Sequence, residues 1–101
     1  MECEHITKQI LPAVRISVAE ALAKKGLTQM QIAARLGIAQ AAVSKYLTGK
    51  YSHGIKELSE RLTRSGLNDK IVSEALAGKP VAEINSLIDA LCEKLVLEEQ
   101  R

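Results

Sequence analysis

The chain has 101 residues, 47% of them hydrophobic and 26% charged, with a formal net charge of +2. That length supports one modest core and leaves no room for a second independent domain or a deep substrate cleft. No stretch approaches the ~18 consecutive apolar residues that a membrane span needs, and Glu2 and Glu4 stand where a signal peptide is basic. A cytoplasmic protein is therefore expected, with Cys3 and Cys92 as free thiols.

The core has an unusual palette. There is no Phe or Trp and there are only two Tyr, so Leu, Ile, Val and Ala must fill it. Such segments favour helices, and no alternating β-branched or aromatic run suggests a sheet. The predicted fold class is all-α, a single compact domain of five to six helices. Residues 12–65 would form its helix-turn-helix core and residues 68–99 its C-terminal helices.

The first helix is expected to start near Pro12, since proline is tolerated in a first turn. Ala13, Val14, Ile16, Val18, Ala21 and Leu22 give it an apolar stripe, and Lys24, Lys25 and Gly26 suit its end. A second helix opens at Thr28 with Gln31 three residues on, the spacing of a capping box, and stops at Gly37. A third covers roughly Gln40 to Thr48. A fourth is predicted over Ile55–Arg64 with Ile55, Leu58 and Leu62 inward. Asn68 is the expected N-cap of a fifth, which ends at Gly78. A sixth runs from Pro80 to about Glu99, with Val81, Ile84, Leu87, Ile88, Leu91, Leu95 and Val96 at mostly three- and four-residue steps and Leu97 widening the stripe. That stripe is broad for a lone surface helix, so part of it is expected to face a partner subunit.

Charge is distributed unevenly. Between Ala21 and Lys56 there is no Asp or Glu, while Lys24, Lys25, Arg35, Lys45, Lys50 and Lys56 give this stretch +6; residues 1–20 carry −1 and residues 57–101 carry −3. A polyanion would be drawn to the middle third alone.

Within that third, Gln29 to Leu47 meets the local demands of a helix-turn-helix. Two helices crossing at a short turn need a small residue between their axes, and Ala33 supplies it. The turn needs a residue that accepts positive φ, and Gly37 supplies it four positions later. Ile32, Leu36, Ile38, Val43 and Leu47 are placed to lock the two helices together. This stretch resembles the helix-turn-helix of the phage-repressor-like, or xenobiotic-response-element, family over roughly residues 13–65, most specifically over 28–50. The resemblance implies that the helix 40–47 enters the major groove. It also implies that Gln29 and Gln40 cooperate, one holding phosphate and the other reading a base. A narrower likeness rests on Cys3-Glu4, on Leu11-Pro12-Ala13-Val14-Arg15 and on Leu36 to Leu47. It is to an archaeal group of predicted transcription regulators. Some members of that group carry a thiamine-phosphate-synthase-like domain, which has no counterpart in this sequence, and many have paired cysteines where Cys92 stands without a Cys-x-x-Cys partner.

The resemblance makes Gln40, Ala41, Ser44 and Lys45 the expected groove-facing residues. Gln can bond adenine with both ends of its amide, Ala41 can touch a thymine methyl, and Lys45 can reach a guanine edge or a phosphate. Thr28 and Gln29 sit at a helix N-terminus, which favours phosphate. Lys50, Tyr51, Ser52 and His53 form a polar loop beyond the recognition helix, with Lys50 and His53 the candidate phosphate contacts. Each of these residues could instead be merely solvated. Tyr46 is expected to pack inward. Cys3, His5, His53 and Cys92 have no metal-ligand spacing, and no catalytic constellation or phosphate loop is visible, so neither cofactor nor enzymatic activity is expected. The expected function is a sequence-specific transcription regulator binding double-stranded DNA as a homodimer. The alternative is a protein–protein adaptor or antitoxin-like module that keeps the fold.

Overall fold

In the computed structural model, which describes the backbone of residues 2–99 and the side chains of residues 8–99, α1 (Glu2–Lys24) is the axis on which the other five helices pack. These are α2 (Gln29–Leu36), α3 (Gln40–Leu47), α4 (His53–Ser65), α5 (Asp69–Leu76) and α6 (Val81–Glu99), and no strand occurs among the described residues. The central position of α1 shows in its burial. Ala13, Val14, Ile16, Ser17, Val18, Ala19 and Leu22 are all fully enclosed. These positions girdle the helix and do not form one stripe, as expected of a helix covered from every side. Ser17 is tolerated there because its hydroxyl donates to the Val14 carbonyl at 2.8 Å.

Three expectations about helix starts are corrected. The first helix does not begin near Pro12; it begins ten residues earlier, with Pro12 in its interior. The proline removes one backbone bond, but Ile10, Ala13 and Val14 on either side of it are sunk in the core, and that packing sustains the helix through the defect. Asn68 occupies the residue before α5 but does not cap it. Its backbone is already helical (φ −94°, ψ 0°), its side chain makes no capping bond, and it is buried. The fourth helix also starts two residues before Ile55, where the Ser52 hydroxyl accepts the Ile55 N–H at 3.3 Å. Cys3 and His5, two of the four residues weighed above as metal ligands, lie outside the residues whose side chains are described.

α6 lies on α1, α2 and α5. Ile84, Ile88 and Leu95 are buried, and Leu87, Leu91, Cys92 and Val96 pack against the same core. The apolar stripe expected to face a partner is thus mostly used within the protomer; Val81 at 38% and Leu97 at 57% are its exposed remainder. No helix among the described residues is long and apolar enough to cross a membrane.

Candidate nucleic-acid interface

The site is built from the start of α2. Thr28 is extended (φ −77°, ψ 164°), its hydroxyl accepts the Gln31 N–H at 3.1 Å, and its own N–H donates to the Gln31 side-chain carbonyl at 2.9 Å. This reciprocal box satisfies two of the orphan donors of the helix end. The N–H groups of Gln29 and Met30 in the same turn have no intrahelical acceptor, the arrangement that lets a helix N-terminus bond an anion. Thr28 is exposed and Gln29 half-buried.

Ile32, Ala33 and Leu36 turn inward from α2. Ala33, 8% exposed, is the small residue between the crossing axes. Gly37 then reverses the chain in the left-handed region (φ 68°, ψ 36°), a conformation that costs any residue with a Cβ about 1–2 kcal/mol. Two N–H groups, those of Gly37 and Ile38, return to the Ala33 carbonyl. Space is a second constraint at Gly37, because a Cβ there would lie 2.6 Å from Val81 Cγ1 on α6.

α3 is held by Val43, which is fully buried, and by Ile38, Tyr46 and Leu47, which are half-buried against the core. Tyr46 therefore packs inward. The opposite edge of α3 is free: Gln40, Ala41 and Lys45 are exposed and Ser44 is half-buried. Gln40 with Ser44, and Ala41 with Lys45, are pairs four residues apart and so stack along one side. The helix ends where the Thr48 hydroxyl donates to the Ser44 carbonyl at 2.8 Å.

The loop beyond α3 divides its residues between internal and outward roles. Tyr51 donates its hydroxyl to the Glu20 carboxylate on α1 at 3.3 Å, a long bond that ties the loop back to the axis. Burial and the Glu20 charge push the Tyr51 phenol above its ordinary value near 10. Ser52 caps α4. Lys50 and His53 are exposed, and His53 lies 3.6 Å from Glu57 one turn along α4, so a phosphate at His53 would compete with that carboxylate.

Arg35 was counted above among the charges available to a polyanion, yet its guanidinium donates to the Ala75 carbonyl and, at 3.3 Å, to the Leu76 carbonyl. It caps the C-terminus of α5. Its acceptors lie forty and forty-one residues away in the chain, and no local pattern signals such a pairing. Asn85 was likewise not singled out. It sits on α6 with its amide 3.5 Å from the Leu36 carbonyl, the last of α2.

The electrostatic asymmetry read from the sequence has a structural counterpart. The first turns of α2, α3 and α4 contain no acidic residue, whereas those of α5 and α6 contain Asp69 and Glu83. Carboxylates at a helix start neutralise its positive dipole end. The three helices of the basic segment leave that end open to an external anion, and the two C-terminal helices do not. Among the described residues no group of His, Cys, Asp and Glu could hold a metal ion. Cys92 is a free, half-buried thiol, raised above its usual range first by burial and then by Asp89, with Arg15 opposing.

These features define a helix-turn-helix domain inside an all-helical fold. A family model described as helix-turn-helix matches residues 18–60, a segment that takes in the end of α1, the two motif helices and the start of α4. No curated protein and no solved structure matches the chain.

Proposed function

We propose that this protein is a sequence-specific DNA-binding transcription regulator that inserts the helix 40–47 into the major groove. The observation that carries this reading is the outward edge of α3, where Gln40, Ala41 and Lys45 are exposed opposite the buried Val43. In this reading Gln40, Ala41 and Ser44 face base edges. Lys45 and Lys50 neutralise phosphates, and the open N-terminus of α2 at Thr28 and Gln29 receives another. His53 can hydrogen-bond a further phosphate when Glu57 releases it. The regulator works in the cytoplasm as a homodimer, with recognition helices about one helical turn (~34 Å) apart.

Equilibrium binding to a fluorescent mixed-sequence duplex across a salt series tests the proposal. Lys45 and Lys50 give each protomer a slope of about −2 in log affinity against log salt. Weak, salt-sensitive binding with no preference between this duplex and others of different sequence, together with a tight protein partner, would favour the adaptor reading instead.

A further inference from the structure

The segment matched to the helix-turn-helix family ends at residue 60, yet the turn of the motif is held by residues well beyond it. Three contacts converge there. Arg35, on the last turn of α2, donates to the Ala75 and Leu76 carbonyls that end α5. Asn85 on α6 donates to the Leu36 carbonyl at 3.5 Å and to the Val81 carbonyl at 3.2 Å. Val81 packs so closely on Gly37 that a single added carbon would meet it at 2.6 Å. The three motif residues engaged in these contacts, Arg35, Leu36 and Gly37, are consecutive. They immediately precede the Ile38-Ala39 step into α3, so they fix the direction in which α3 leaves the turn.

We propose that α5 and α6 form a brace that sets the angle at which α3 is presented, with Arg35 and Asn85 as its positioning residues. α2 by itself ends in carbonyls with no intrahelical donor, and an eight-residue helix has little stability of its own. The last of these carbonyls is reached from α6 by the Asn85 amide, in a long bond of 3.5 Å. The charge on Arg35, unspent on any carboxylate among the described residues, complements the negative end of the α5 dipole. Each contact links the motif to a different point of the C-terminal pair: the end of α5, the first residue of α6, and the second turn of α6. Motion of either helix would therefore be transmitted to the turn. Val81 acts as a stop on one side of Gly37, and Arg35 and Asn85 act as ties.

The DNA-binding part of the test rests on the function proposed above; the conformational part does not. Arg35→Ala, Arg35→Lys and Asn85→Ala are compared with the wild-type chain by amide NMR shifts of Gln40–Leu47 and by duplex binding across a salt series. Arg35→Ala and Asn85→Ala are expected to shift the α3 amides and to weaken duplex binding about fivefold, the scale of one lost hydrogen bond. Their salt slope should match the wild type, because neither residue neutralises a phosphate. Arg35→Lys, which still donates to a carbonyl, should restore most of both readouts. A slope lowered by about 0.9 in Arg35→Ala would make Arg35 a phosphate contact and overturn its positioning role. Unchanged α3 amides in folded Asn85→Ala would overturn the brace, and that variant decides alone if Arg35→Ala does not fold. If the wild-type chain binds no duplex, the DNA reading fails while the amide shifts still judge the brace.

Discussion

Gln40 and Lys50 are both exposed polar residues of one basic segment, yet they should fail differently when removed. Gln40→Ala is expected to cost about 1–3 kcal/mol on the preferred sequence and almost nothing on unrelated DNA. Lys50→Ala should weaken all duplexes alike and lower the salt slope by about 0.9. Fluorescence anisotropy on two duplexes at several salt concentrations separates the two patterns. Tyr51 gives a pH prediction with a definite sign. Its phenol is raised in the fold, so its contribution to stability is complete below the ordinary value near 10 and is lost as pH climbs through the raised value. Melting temperatures should therefore fall more steeply at alkaline pH in the wild-type chain than in Tyr51→Phe. Parallel curves would show that the tie to Glu20 contributes nothing. For Cys92, burial and Asp89 keep the thiol protonated, so in a Cys3→Ser background its alkylation at neutral pH should be slow in the fold and fast in denaturant.

At the scale of the element, Gly37 carries two constraints that add. Gly37→Ala must place a Cβ at positive φ and against Val81, for a cost of about 2–4 kcal/mol. A denaturant titration reads this directly, and Val81→Ala should recover the part that comes from the contact. Pro12→Ala should stabilise, by up to about 3 kcal/mol, because it restores a donor in the interior of α1. The helix-turn-helix was legible in the sequence because its determinants are local: a capping box at Thr28–Gln31, a small residue at Ala33, a positive-φ turn at Gly37, and apolar locks one or two turns away. The start of α1 was not legible, since the burial of Ile10 and its neighbours, and not propensity, carries the helix past the proline. Asn68 has the composition of a cap but is drawn into the core. Arg35 looked like a surface cation because its acceptors are carbonyls of a helix forty residues on, and main-chain acceptors leave no mark in a residue pattern.

At the scale of the whole molecule, charge divides a chain that packing joins. The end of α1, α3 and the loop after it carry Lys24, Lys45 and Lys50 with no carboxylate among them, while α6 exposes Glu83, Asp89, Glu93, Glu98 and Glu99 with Lys94. A polyanion is attracted to the basic segment and repelled by the exposed acidic face of α6. The same acidity bears on assembly. Sedimentation at micromolar concentration should give twice the 11.0 kDa chain mass if the homodimer forms. If α6 contributes to the seam, that dimer should strengthen with salt as like charges are screened. The most direct test of the account is a selection of bound duplexes from a random pool, run in parallel with the wild-type chain and Gln40→Ala. The wild-type pool should converge on a shared pattern that loses its preference at one base position in the variant. Pools that never converge, or that converge on the same pattern with and without the Gln40 amide, would contradict the assignment of the α3 edge as a reader of DNA sequence.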